Sequence, residues 1–226
     1  MSQISNSRSF LTQLDKRWLA AGLAATGAGG AMLATPESAH ATIVWSGPVN
    51  INIPSTTAGV YLNVVTGVSN ASPSLVPGWD VNPWSSSTLS YFNPASPAGG
   101  VYVMQTGSTV NVANLPFGTI VGPAPGGGRT YGSGSAVTAG ADAHILNSDQ
   151  NLVGFRFVES TLTCGTAYGW MRVSLSGGLA TQPRAITEYA YDDTCAPIGA
   201  GVTSPEPTTL GLLGLGAAGL LLRRRK

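Results

Sequence analysis

The sequence predicts an all-β domain, an antiparallel two-sheet β-sandwich of jelly-roll type, set between two apolar terminal helices. Three observations lead there. Charged residues make up only 9% of the 226-residue chain, while 30 residues are glycine and 15 are proline. Such a composition suits short strands joined by turns, with surfaces solvated by hydroxyls and amides. Apolar residues recur at every second position in run after run, the period of a half-buried strand. The helical spacing of Ala, Glu, Lys and Leu that a bundle requires is missing from the middle of the chain.

Charge is unevenly distributed. The chain has 11 Lys and Arg against 10 Asp and Glu. Arg8, Lys16 and Arg17 stand near the start, and Arg223, Arg224, Arg225 and Lys226 at the end. Between residues 42 and 204, four arginines stand against seven carboxylates, a net charge of −3. No basic nucleic-acid-binding surface is expected, because phosphate recognition needs clustered Lys and Arg.

Residues 1–41 read as a helical export signal. Lys16 and Arg17 form its positive flank, residues 18–34 an uncharged Gly/Ala/Leu run, and Ala39-His40-Ala41 the small-x-small pattern cut by signal peptidase. Cleavage is expected after Ala41. The alternative is an anchor left in place. Its 17-residue run sits at the lower limit of ~17–25 residues for a spanning helix, and four glycines weaken it.

Residues 42–203 form the β-domain. Val49, Ile51 and Ile53 alternate with Asn50 and Asn52, and residues 60–65 are β-branched and aromatic up to Gly67. Residues 89–92 and 101–104 follow, each bounded by Pro or Gly, then the weaker runs 109–112 and 119–121. Residues 122–134 are Gly/Pro-rich and form a loop. It is not a phosphate loop, since no Gly-Lys-Ser/Thr follows it. At most one turn of helix is expected, near residues 139–145.

The last third alternates most clearly. Val153, Phe155 and Phe157 share a face, as do Met171, Val173 and Leu175, opposite Tyr168, Trp170 and Arg172. Tyr189 and Tyr191 are expected opposite Ile186 and Glu188. Three successive strands with turn-rich connections predict adjacent antiparallel pairing.

The chemistry-bearing residues are few. Cys164 and Cys195 are the only cysteines. In an exported protein they are expected to pair, because the strands between them run out and back to the same end of a sheet. His40 lies within the signal, leaving His144, which reads as a polar loop residue. No nucleophile elbow is present and the zinc-ligand inventory is poor, so no catalytic residue and no metal site are predicted. Asp80, Glu159 and Glu188 are the carboxylates a hydrolase pair would draw on. Glu188 reads better as an ion-pair partner of Arg172. Asp80, Asn82, Asp142, Asp149, Asp192 and Asp193 offer the hard oxygens that calcium takes, but no full calcium loop, so no cofactor is predicted. Among the aromatics Trp45, Trp79, Trp84, Tyr91 and Trp170, the loop pair Trp79 and Trp84 are the candidate ligand-binding residues.

Residues 204–226 close the chain. Pro205-Glu206-Pro207 precedes a 13-residue Leu/Gly/Ala run, and Arg223, Arg224, Arg225 and Lys226 follow as a basic stop. The prolines keep the backbone extended before the run. The run is short for a stable span of ~20 residues, and the cations hold its end on the cytoplasmic side. Motif, apolar helix and basic cluster together resemble the PEP-CTERM sorting signal of Gram-negative bacteria. The resemblance implies handling by an exosortase, an integral-membrane cysteine transpeptidase-like enzyme, in bacteria that make extracellular polysaccharide. Val153-Gly-Phe-Arg-Phe, Tyr168-Gly-Trp-Met-Arg-Val, Glu188-Tyr-Ala-Tyr-Asp and Pro197-Ile-Gly-Ala-Gly also resemble a block found before that signal in many such proteins.

The expected function is therefore non-enzymatic. The chain is expected to be exported, held in the inner membrane by its C-terminal helix before processing, and then released to the envelope, surface or biofilm matrix. There it would interact with extracellular polysaccharide. The alternatives are a polysaccharide hydrolase using a carboxylate pair and a purely structural surface domain.

Overall fold

A computed structural model describes residues 42–204, apart from Ser133, Ser135, residues 140–143 and Thr163. The signal and its Ala39–Ala41 cleavage site, Asp142, and everything from Pro205 to Lys226 lie outside the described residues, as does most of the turn expected at 139–145. In chain order the strands are β1 (Ile43–Trp45), β2 (Ile51–Asn52), β3 (Tyr61–Leu62), β4 (Ser69–Asn70), β5 (Asn82–Trp84), β6 (Ser90–Phe92), β7 (Ile120–Val121), β8 (Ala136–Thr138), β9 (Asn151–Val158), β10 (Thr166–Leu175), β11 (Arg184–Asp192) and β12 (Ile198–Gly199). Among the described residues the single helical element is a 3-10 turn at Pro73–Leu75. The fold is thus all-β. Its described ladders are antiparallel and fall into four sheets, of which β1-β11-β10-β9, with β2 also on β11, is the largest.

That large sheet grows from the three long alternating runs. β10 lies at its centre, Trp170 opposite Ala190 of β11 and Gly154 of β9. Val153, Phe155, Phe157, Met171, Val173 and Leu175 line one face, and they share a core with Tyr91 and Val137 of the β5-β6-β8 sheet. The other face is also covered. Leu152, Tyr168, Trp170 and Ala190 pack under Val103, Leu115, Val121 and Ile198. Gly154 makes this second layer fit: a Cβ there would stand 2.8 Å from both Leu115 and Val121, closer than side chains tolerate.

One alternation fails, for a visible reason. The β10–β11 register shifts between Arg172 and Val173, which pair with Glu188 and Ile186. Thr187 is the extra residue of this bulge, and it turns the strand by one position. Ile186 therefore joins Tyr189 and Tyr191 in the same core instead of facing away from them, while Glu188 stays on the opposite side.

The N-terminal strands are shorter than their apolar runs. The run at 60–65 keeps only Tyr61–Leu62, because the Asn63 side chain accepts from Val65 N and Thr66 N and folds the backbone into a turn. Residues 101–104 are fully buried yet paired only by single bridges, Tyr102 to Phe155, Val103 to Tyr131 and Met104 to Val112.

Two devices tie separate parts of the chain together. Cys164 and Cys195 form a disulfide with Cα atoms 5.8 Å apart, at the end where β10 begins and β11 finishes. Arg184, 0% exposed, directs its guanidinium at five backbone carbonyls: Ile53, Pro54, Ser85, Thr88 and Leu179.

Candidate functional site

Trp79 sits in the loop between the 3-10 turn and β5, and two side chains hold that loop. Asn63 Nδ2 donates to Pro77 O at 3.2 Å and Gly78 O at 2.9 Å. Asp80 Oδ2 accepts from Val64 N at 2.9 Å. The indole between these anchors rests edge-on against Tyr61 of β3, with centroids 5.0 Å apart and planes at 72°. On its other side lies Phe92, at the end of β6, 6.0 Å away and tilted by 50°. Tyr61 and Trp79 are half-buried, and Phe92 is 40% exposed. The result is a row of three rings with open faces or edges.

Beside the row lies a concavity of about 410 Å³, running from Phe92 through Pro94 and Pro97 to Gly100. Its walls are fixed by side-chain hydrogen bonds to the backbone. Asn93 donates to Gly132 O and Gly134 O and accepts from Val101 N. Arg156 donates to Gly100 O at 2.8 Å and Ala98 O at 2.9 Å, while its guanidinium lies 4.1 Å from the centre of the Tyr131 ring. The aromatic row thus adjoins a groove lined by small residues and backbone, its rings inclined to one another and not coplanar.

The other candidates fall elsewhere. Trp84, on β5, is half-buried and stands outside this row; its indole N–H is buried without an acceptor. Tyr91 and Trp170 are both 0% exposed and belong to the core, with Trp170 Nε1 donating to Val202 O at 2.9 Å. Trp45, 43% exposed, donates to Glu188 Oε2 at 3.0 Å. Glu188 is held by Arg172 at 2.5 Å, the ion pair its register implied.

Asp80 and Glu159 do come together, through Asn63, whose amide also reaches Glu159 Oε2 at 3.3 Å. Burial pushes the Asp80 carboxyl up to about 7, against the pull of the Val64 hydrogen bond and with help from the Glu159 charge. For Glu159, burial works toward a raised value, but hydrogen bonds from Ser160, Thr161 and Asn63 outweigh it and hold the group below the usual range. One carboxyl is poised to stay protonated and the other ionised, the asymmetry of a hydrolase pair. Asp80 itself is buried, only 2% exposed.

Several of the residues offering hard oxygens make hydrogen bonds within their own loops. Asp192 Oδ1 accepts from Thr194 N, Thr194 Oγ1 and Ala196 N, and Asn82 Nδ2 donates to Ala58 O and Val60 O. Asp149 Oδ1 accepts from Gln150 Nε2. Among the described residues no group of three or more His, Cys, Asp or Glu stands together to hold a metal ion.

The segment beyond the folded domain decides the relationship. Residues 205–226 match the family model of the PEP-CTERM protein-sorting motif. The chain carries a PEP-CTERM motif. The motif is a substrate signal for exosortase and implies export and association with the cell envelope, and the Cys164–Cys195 disulfide is consistent with an extracellular location. The PEP-CTERM match does not extend into residues 42–204, and no curated protein and no solved structure matches the chain. Among the described residues no helix is long and apolar enough to cross a membrane, and the 210–222 run lies outside them.

Tyr61 and Phe92 were not singled out in the sequence. They flank Trp79 only because β3, β6 and the 77–80 loop meet in space. The one local signal is that Phe92 ends its strand just before a Pro-rich turn.

Proposed function

We propose that the exported chain binds an uncharged extracellular polysaccharide at the Tyr61–Trp79–Phe92 row without cleaving it. The observation that carries this reading is the row itself, Trp79 in contact with Tyr61 on one side and Phe92 on the other, beside a groove of about 410 Å³. The net charge of −3 between residues 42 and 204 favours an uncharged polymer over a polyanion, which it would repel. The burial of Asp80 supports binding over hydrolysis. Before processing, the 210–222 run holds the chain in the inner membrane with Arg223–Lys226 on the cytoplasmic side, after signal peptidase has cut behind Ala41. The domain itself reads as a sandwich, the large sheet facing β5-β6-β8 across their common core.

The test is incubation of the exported protein with the producing cell's own neutral polysaccharide. Retention without new reducing ends, lost in Trp79→Ala, is the expected result. Release of oligosaccharides would establish the hydrolase, and neither retention nor release would leave a structural spacer.

A further inference from the structure

A second concavity, of about 430 Å³, opens between residues 114–117 and the start of β9. Leu115 and Leu152 form a buried floor, each 3% exposed. Phe117, 73% exposed, stands as one wall. Its ring is seated on Gly201, where the backbone has φ +81° and a Cβ would come within 2.7 Å of the ring. The wall is braced on both sides, by Leu115 N to Leu152 O and Gly118 N to Ala200 O, both at 2.8 Å. The backbone that presents the ring is therefore held at both ends.

The facing wall is polar. Arg172 donates through Nε to Glu188 Oε1 and through Nη1 to Gln150 Oε1 at 3.1 Å. A guanidinium has five N–H donors, and among the described residues Nη2 finds no acceptor. Glu188 also accepts from Trp45 Nε1 at 3.0 Å. A connected strip, Trp45–Glu188–Arg172–Gln150, thus runs across β1, β11, β10 and the start of β9, on rigid strands that hold directional groups in register. Glu188 neutralises Arg172, so the strip does not trap an anion. It offers spare donors and acceptors opposite an aromatic face, the combination that takes the hydroxyls and the apolar face of one uncharged pyranose ring.

We propose that this concavity is a second saccharide-binding site, so that one chain bridges two polysaccharide strands. The inference rests on the polysaccharide reading above and adds valency to it. The geometry separates the two sites. Leu152 lines the second site, and Arg156, which braces Ala98 and Gly100 of the first groove, lies four residues further along β9, roughly 13 Å at the rise of a strand. The segment carrying Leu115 and Val121 packs over Gly154 between them.

The test uses the exported protein recovered from the producing cell and that cell's neutral polysaccharide fraction. Turbidity reports cross-linking, and fluorescence titration reports binding. The wild type should cross-link the polymer. Phe117→Ala should bind but not cross-link, with apparent affinity about 10–100-fold weaker as avidity is lost. Phe117→Tyr, which keeps the ring, should cross-link like wild type, and Gln150→Ala should weaken cross-linking without disturbing the buried floor. Cross-linking by Phe117→Ala equal to wild type, or binding by wild type without any cross-linking, would overturn the second site while leaving the first. Absence of any binding by the wild type would overturn both.

Discussion

Replacing Arg184 by lysine keeps the positive charge and removes donors, which makes it a sharp test of how separate parts of the chain are joined. The five N–H groups of Arg184 reach Ile53 O at 3.0 Å, Pro54 O at 2.9 Å, Ser85 O at 2.5 Å, and Thr88 O and Leu179 O at 2.6 Å. Among the described residues the one ion pair is Arg172 with Glu188, so the buried charge of Arg184 is solvated by peptide dipoles. Lysine has three donors on a single nitrogen and leaves at least two of these carbonyls buried without a partner. At ~1–3 kcal/mol for each orphaned group, the loss is about 2–6 kcal/mol. With a urea slope of ~2 kcal/mol per molar, the unfolding midpoint should fall by about 1–3 M. Arg184→Met strands all five carbonyls and should cost about 5–15 kcal/mol, comparable to the whole of a typical stability, so that little folded protein remains. Urea unfolding followed by tryptophan fluorescence reads both variants. A lysine variant within about 0.5 kcal/mol of wild type, or a methionine variant that folds and unfolds like wild type, would refute the argument that the guanidinium fork holds these loops.

The remaining predictions concern charge, cross-link and tail. Asp80 is raised from 3.8 to about 7 by burial; its folded form therefore holds the proton more tightly, and stability present below 3.8 is lost as pH rises through 7. The loss approaches about 4 kcal/mol above pH 8. Asp80→Asn should flatten this profile between about pH 4 and 7 in urea titrations, the interval between the unfolded and folded values, and an unchanged slope would exclude Asp80 as its source. The disulfide closes a loop with a sequence separation of 31, so reduction should cost about 3–4 kcal/mol and lower Tm by about 10 °C without abolishing the fold. Denatured, unreduced protein should show no titratable thiol. Deleting residues 205–226 should move the domain from the envelope fraction to the periplasm or medium; retention in the same fraction would contradict the role of the motif.

What could be read in advance depended on the length of the pattern. β9, β10 and β11 repeat their alternation over 8, 10 and 9 residues, long enough for a period of two to be unmistakable, and their order also located the disulfide. The bulge at Thr187 was invisible because a single extra residue leaves no mark in composition. The short N-terminal strands were overextended because Asn63 competes for the backbone through its own side chain, a local choice that the apolar run around it hides. The aromatic row was half legible. Trp79 stands out in a Pro/Gly-rich loop, but Tyr61 and Phe92 become its neighbours only through tertiary packing. Arg184 carries no local signal either: an arginine opening a strand looks like surface until five carbonyls from distant loops close on it.

The position of the disulfide also decides how the domain bears load. The Pro-Glu-Pro motif begins ten residues after Cys195, so a pull on the tail reaches the domain close to the disulfide. It falls first on the Trp170–Val202 hydrogen bond and on the two-residue β12–β7 ladder, contacts weak enough to peel one by one. Peeling stops at Cys195. From there tension crosses the covalent bridge to Cys164 and enters the sheet at the start of β10, where many ladder bonds share it. Extraction by the tail can therefore unravel the last few residues while the aromatic row and the large sheet remain mechanically shielded.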